Sequence, residues 1–175
     1  VINGGAGNDL ILYTVGDGTD TINGGADSDT LSLIGSTGND SLTVAVLSGS
    51  ISSFTIGGAT SSLTSIEQVI LDLQGGSDTL SYGSTSENVT VNLSAGTATG
   101  FFSISGVENI TGGSGNDILT GNANPNTLNG GSGNDTLVGG AGADSLLGGS
   151  GNDVMLIDTS DLLIDGGSNS SNNLL

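Results

Sequence analysis

Hydrophobic side chains in this chain come singly, at intervals of nine. From 112 to 156 the sequence divides into GGSGNDILT, GNANPNTLN, GGSGNDTLV, GGAGADSLL and GGSGNDVML. The eighth place of every unit is apolar: Leu119, Leu128, Leu137, Leu146 and Met155. The first is always glycine (Gly112, Gly121, Gly130, Gly139, Gly148), and the sixth is Asp117, Asn126, Asp135, Asp144 and Asp153. Three places held in phase over five units mark a repeat rather than chance clustering. The first six places are mostly Gly, Ser, Ala, Asn and Asp, which suit tight turns needing positive φ. The last three set one aliphatic residue between two others, a short strand with one inward side chain. Turn, strand, turn, strand makes two units one rung, so each unit stacks on the next but one. Asp117, Asp135 and Asp153 then line one edge of the stack, and Asn126 and Asp144 the other.

The same pattern opens the chain. Units 4–12, 15–23, 24–32 and 35–43 put Asp9, Asp20, Asp29 and Asp40 in the sixth place, with Tyr13-Thr14 and Leu33-Ile34 as insertions that widen rungs. Val1-Ile2-Asn3 reads as the strand half of a further unit. Asp27 replaces a fourth-place glycine, read as a relaxed turn rather than an extra ligand. Between 44 and 111 the nines vanish, but alternation at Leu42-Val44-Val46, Phe54-Ile56 and Val89-Val91-Leu93 still predicts strands. Residues 73–81 keep half a unit, with Asp78 in the sixth place. Glu67-Gln68-Val69, Glu87-Asn88-Val89 and Glu108-Asn109-Ile110 share one form, each Glu preceding an aliphatic by two as Asp117 precedes Leu119. These glutamates read either as further metal ligands or as turn carboxylates that accept backbone amides. The middle is expected to be the same solenoid with longer, irregular rungs; a separate small β-sandwich is the alternative. One domain is expected over 1–175: a first array (1–43), a longer-rung segment (44–111), a regular array (112–156), and decaying rungs or a cap (157–175), with Ser168–Asn173 polar.

Charge changes the picture. Lys, Arg and His are absent against 18 Asp and Glu, a net −18. No internal salt bridge can form. Sixth-place carboxylates on stacked strands stand about 4.8 Å apart and repel by about 1 kcal/mol in water, more in protein. The ladder opposes folding unless a divalent cation lies between the turns. Nucleic acid is excluded as a partner, since phosphate contacts need cationic side chains. Without Cys, His, Lys or Arg there is no thiol or triad chemistry, zinc centre or phosphate clamp, and no enzyme activity is expected. Aromatics are 3 %, which removes sugar platforms and a thick core alike. No apolar run is long enough to span a membrane. Asn8, Asn39, Asn116, Asn134 and Asn152 recur at the fifth place, a weak signal for an ice-binding face because the third place is irregular.

These units resemble the G-G-x-G-x-D-x-U-x nonapeptide of the RTX (repeats-in-toxin) family. The resemblance implies an all-β fold, a right-handed parallel β-roll or β-solenoid, binding several Ca²⁺ ions in its turns through the Asp carboxylate and backbone carbonyls. Carried over, Asp9, Asp20, Asp29, Asp40, Asp78, Asp117, Asp135, Asp144 and Asp153 are carboxylate ligands. Gly4, Ala6, Gly112, Ser114, Gly130, Ser132, Gly139, Ala141, Gly148 and Ser150 offer carbonyls. Asn126 brings an amide oxygen without charge, so its site with Asp144 is expected to be weak or empty. Shared ligands imply roughly four to eight ions. The resemblance places the chain outside the cell, where calcium is plentiful. The expected function is a calcium-binding structural module of a secreted or cell-surface protein (adhesin, surface layer or extracellular fibre), with self-association through solenoid ends. The alternative is a calcium-dependent secretion or stabilising C-terminal domain of a type I-secreted toxin or enzyme.

Overall fold

A computed structural model of the protein describes residues 1–168, so most of the polar tail expected as a cap lies outside the described residues. Every regular element is a strand. The first array gives β1 (Ile2–Ala6), β2 (Leu10–Thr14), β3 (Thr21–Ala26), β4 (Thr30–Ile34) and β5 (Ser41–Leu47). The middle gives β6 (Ser50–Ile56), β7 (Ala59–Thr64), β8 (Gln68–Asp72), β9 (Thr79–Ser81), β10 (Thr90–Asn92), β11 (Thr97–Ala98), β12 (Ser103–Ser105) and β13 (Asn109–Thr111). The regular array gives β14 (Ile118–Thr120), β15 (Thr127–Ser132), β16 (Thr136–Val138), β17 (Ser145–Ser150) and β18 (Val154–Leu156), followed by β19 (Leu163–Asp165).

A ten-stranded sheet runs β1-β3-β7-β6-β5-β9-β13-β15-β17-β19, and the shorter sheets run β12-β8-β4-β2 and β11-β10-β14-β16-β18. Through both nonapeptide arrays the chain alternates between the long sheet and a short one, crossing by a turn each time. Alternate units stack in parallel. Leu119 pairs with Leu137 and Leu137 with Met155, while Ile110 pairs with Leu128 and Leu128 with Leu146. The eighth-place aliphatics thus form columns inside the roll, and Leu119, Leu128, Leu137 and Leu146 are wholly buried. The two insertions fall opposite each other. Tyr13 pairs with Leu33, and Leu33 with Leu71, adding a second inward column that widens these rungs. Tyr13 also meets the Phe54 ring edge-on at 5.0 Å, and its hydroxyl donates to the Gly18 carbonyl.

The middle is longer-runged but not purely parallel. β6 pairs antiparallel with both β5 and β7, so a meander is let into the long sheet. Its loops are the two-residue pairs Ser48-Gly49 (φ 54° and 77°) and Gly57-Gly58 (φ 59° and 82°). Two consecutive positive φ values are what a tight hairpin between twisted strands requires. β10 and β11 form a second antiparallel pair. The expectation of no salt bridge misses one cation, because the α-amino group of Val1 lies 3.0 Å from Asp20 Oδ1.

Truncating a column residue removes packing above and below it. Leu137→Ala is expected to cost about 2–5 kcal/mol in denaturant unfolding of the calcium-saturated protein. Leu12→Ala, at a side chain 61 % exposed on β2, is expected to change stability by less than about 0.5 kcal/mol.

Candidate metal centres along the turn edges

The sixth-place residues are tied into ladders by one repeated hydrogen bond. The N–H of each donates to the side-chain oxygen of its counterpart one rung on. Asp117 donates to Asp135 Oδ1 at 2.8 Å, Asp135 to Asp153 Oδ1 at 2.9 Å, and Asn126 to Asp144 Oδ1 at 2.8 Å. In the first array Asp9 donates to Asp29 Oδ1 at 2.8 Å, and in the middle Asp40 donates to Asp78 Oδ1 at 2.7 Å. The sequence reading places Asp117, Asp135 and Asp153 on one edge and Asn126 and Asp144 on the other, as these bonds do. It missed a companion ladder at the fifth place, running the opposite way: Asn134 N–H donates to Asn116 Oδ1, and Asn152 N–H to Asn134 Oδ1. The recurrent fifth-place Asn therefore has a structural use inside the turn.

Two of the three glutamates join the sixth-place ladder. Glu67 Oε2 accepts Asp29 N–H at 2.8 Å, and Glu108 Oε2 accepts Asp78 N–H at 2.9 Å. Glu87 does not, because Val89 stands in the sixth place and its N–H donates to Asp117 Oδ1. Glu87 instead accepts Ser48 and Gly49 N–H at the hairpin tip. Asp20 has no carboxylate above it either; Ser61 takes that place, and its Oγ accepts Asp20 N–H at 2.9 Å.

Asp29, Asp78, Asp117, Asp135, Asp144 and Asp153 accept the ladder bond at Oδ1, which leaves Oδ2 for their own turns. In Asp9, Asp29, Asp78, Asp135, Asp144 and Asp153, Oδ2 is buried and has no hydrogen-bond partner. Asp29, Asp78, Asp144 and Asp153 are fully buried. A carboxylate oxygen in this state is costly unless a positive charge or a donor meets it. Two turns meet the requirement internally. Gly113 N–H donates to Asp117 Oδ2 at 2.8 Å, and Ser36 supplies its N–H and hydroxyl to Asp40 Oδ2.

The first-place glycines show what the space beside Oδ2 is for. None of Gly4, Gly24, Gly112, Gly130 or Gly148 lies in the left-handed region, so positive φ does not select glycine there. In most turns positive φ belongs instead to the second and fourth places, as at Gly131 (98°) and Gly133 (119°), with Asp27 (79°) in the fourth-place role, though not at Gly113 and Gly115. Asp27 Oδ2 accepts Gly7 N–H from the rung below. What excludes a side chain at the first place is oxygen. A Cβ added at Gly130 would meet Asp135 Oδ2 and the Gly148 carbonyl, the latter at 2.6 Å. At Gly4 it would meet Asp9 Oδ2 and the Gly24 carbonyl, and at Gly112 it would meet Asp117 Oδ2 and the Gly130 carbonyl. At Gly139 and Gly148 only the carboxylates of Asp144 and Asp153 come close. Two sixth-place aspartates lack this cradle altogether, since Val15 and Leu73 hold the first place below Asp20 and Asp78.

The third-place residues expected to offer carbonyls are partly engaged in backbone ladders. Ala6 pairs with Ala26 and Ser132 with Ser150, the Ser150 carbonyl accepting Gly133 N–H at 2.8 Å. Ser114 N–H donates to the Thr85 carbonyl, while Ala141 sits in the turn before β17, outside any strand. Asn126 is fully occupied. Its Oδ1 accepts Asn122 N–H, its Nδ2 donates to the Glu108 carbonyl, and its own N–H is the ladder donor.

Burial raises the Asp135 carboxyl to about 6; the Asp117 N–H lowers it, and the charges of Asp117 and Asp153 add to the rise. Asp144 is raised as well, by burial first, offset by the Asn126 N–H and reinforced by Asp161 and Asp158. Among the described residues no three carboxylates gather around one point. Each cradle instead offers one carboxylate oxygen and neighbouring carbonyls, an all-oxygen set that suits a hard cation such as Ca²⁺.

Comparison with known families decides the matter. The RTX calcium-binding nonapeptide repeat (4 copies) matches residues 1–31, 104–124 and 120–155. The chain carries RTX calcium-binding repeats. The matched segments are calcium-binding repeats and the chain folds as a β-roll; repeats of this kind form a structural calcium-binding module. A search of the curated proteins finds no match. The RTX match covers the first array as far as residue 31 and nearly all of the regular array, and leaves 32–103 outside, which is where the antiparallel meander and the Glu67 turn lie.

Two outcomes follow for the calcium-free and calcium-bound RTX roll. An Asp whose folded value is raised destabilises the fold once ionised. The calcium-free roll is therefore expected to be most stable below the ordinary carboxyl value of 3.8, and to lose that stability as pH rises through about 6. Thermal melts in chelator between pH 4 and 7 measure this; with calcium present the trend is expected to reverse, as protons compete for the ligands. Gly130→Ala is expected to cost about 1–3 kcal/mol by overpacking and to weaken calcium binding, read by unfolding and by calcium titration.

Proposed function

We propose that this chain is a calcium-stabilised structural module of a secreted or cell-surface protein, with Ca²⁺ as the counter-charge that lets its two acidic turn edges fold. The observation that carries the reading is the set of buried, unpartnered Asp Oδ2 atoms, all but that of Asp78 lying beside a first-place glycine whose missing side chain leaves oxygen-lined space. Asp9, Asp29, Asp135, Asp144 and Asp153 are the foremost carboxylate ligands, with the first-place carbonyls of Gly24 and Gly148 reaching in from the next rung beside Asp9 and Asp135. Asp117 and Asp40, whose second oxygens are already satisfied, can swing onto a cation only by giving up those bonds. At Asn126 hydrogen bonds replace the ion, so the metal ladder thins there. The three segments form one continuous roll, since the long sheet runs through the middle into both arrays.

Several features support an extracellular, scaffold-like role over catalysis. Oxygen sites of this kind fill where calcium is abundant. The absence of Lys, Arg, His and Cys removes most catalytic side chains. Leu10 and Leu12 on β2, and Leu156 on β18, are exposed on the outer strands of the two short sheets, which supports association of rolls through their strand edges.

Circular dichroism with and without EGTA tests the central claim. Strand signal is expected to be lost on chelation and restored by calcium; a signal that survives chelation at neutral pH would sink it. Light scattering during calcium addition tests association, with growth in particle mass the expected result and a persistent monomer the opposing one.

A further inference from the structure

Two three-residue turns of the middle segment end in glutamate. Between β7 and β8 the turn is Ser65-Ile66-Glu67, and between β12 and β13 it is Gly106-Val107-Glu108. Each lies directly above a six-residue turn whose Asp has a buried Oδ2 without a partner: Asp29 below Glu67, and Asp78 below Glu108. Ser65, Glu67 and Asp78 all lie outside the segments that match the nonapeptide repeat. The two pairs look alike until the first place of the lower turn is compared. There Asp29 has Gly24 and Asp78 has Leu73.

Above Gly24 the cradle is intact. A Cβ added at Gly24 would meet the Ser65 carbonyl and Asp29 Oδ2, the same two kinds of oxygen found above Gly112. Ser65 holds a positive φ of 51°, a conformation unfavourable for a non-glycine residue, at the point where its carbonyl is delivered over Gly24. Glu67 gives Oε2 to Asp29 N–H, as Asp153 gives Oδ1 to Asp135, and so leaves Oε1 for a cation. Its extra methylene compensates for a turn three residues shorter. Above Leu73 the first place carries a side chain, and that side chain is wholly buried in the core.

We propose that turns 24–29 and 65–67 together bind a Ca²⁺ ion outside the nonapeptide pattern, with Asp29 Oδ2, the Ser65 carbonyl and Glu67 as ligands, and that the matching pair Asp78 and Glu108 binds none. This rests on the calcium reading above. The short turn lacks the carbonyls that a full turn supplies, so water completes the shell and the ion exchanges more readily than those in the regular array.

The test uses the full chain and calcium alone. Bound calcium per chain is measured by equilibrium dialysis, and affinity by titration calorimetry, for the unchanged protein, Glu67→Gln, Glu108→Gln and Gly24→Ala. Gln keeps an acceptor for the ladder N–H, so the fold is retained, and circular dichroism in saturating calcium checks this. Glu67→Gln and Gly24→Ala are expected to lose one ion, or to weaken one site at least tenfold, while Glu108→Gln changes neither reading more than twofold. Unchanged binding in Glu67→Gln, or an equal loss in Glu108→Gln, overturns the proposal and leaves the calcium reading standing. An unchanged protein that binds no calcium overturns both.

Discussion

The structure depends on carboxylates that the chain itself cannot neutralise. Stacking strands at about 4.8 Å brings the sixth-place aspartates into line, and the roll has no cationic side chain to set against them. The ladder hydrogen bond satisfies one oxygen of each carboxylate using a backbone N–H of the neighbouring rung. In Asp9, Asp29, Asp78, Asp135, Asp144 and Asp153 Oδ2 is buried and left over. Folding therefore creates a row of half-satisfied anions, and the hydrophobic columns behind them are one side chain wide. In that balance the counter-ion is part of the fold rather than a ligand added to it.

Glycine follows from the same constraint, in two distinct ways. At the second and fourth places of most turns the backbone passes through positive φ, which glycine adopts freely and Asp27 and Gln74 tolerate. At the first place the backbone is ordinary, and glycine is needed because the turn's own carboxylate, joined at Gly4, Gly24, Gly112 and Gly130 by a carbonyl of the next rung, occupies the room a Cβ would take. Both uses look identical in a repeat that begins Gly-Gly. They separate at Leu73 and Val15, where the first place is bulky and the Asp of that turn loses its cradle while keeping its place in the stack.

Much of the candidate site was legible because its period is short and its positions are chemically extreme. Asp117, Asp135 and Asp153 could be placed on one edge, and Asn126 and Asp144 on the other, since stacking alternate units needs only counting. The middle was less legible. Ser48-Gly49 and Gly57-Gly58 between alternating strands mark turns, but only the strand pairing shows that they close antiparallel hairpins. Glu67, Glu87 and Glu108 share a local sequence form yet divide in the structure, two in the ladder and one at a hairpin tip. The difference is register: Val89, two residues after Glu87, pairs at the level of Asp117, whereas Glu67 and Glu108 themselves stand level with Asp29 and Asp78.

The sequence by itself determined the strand-and-turn grammar, the stacking of alternate units, the identity of the acidic ladder and the sign of its missing partner. These follow from period, side-chain size and charge, which are local or countable. Tertiary structure alone decided which carboxylate oxygens are left without donors, which glycines guard space rather than conformation, and where antiparallel strands interrupt the roll. Those depend on which atoms of separate rungs approach within a few ångströms, and turn length and register set that approach across twenty to forty residues of chain.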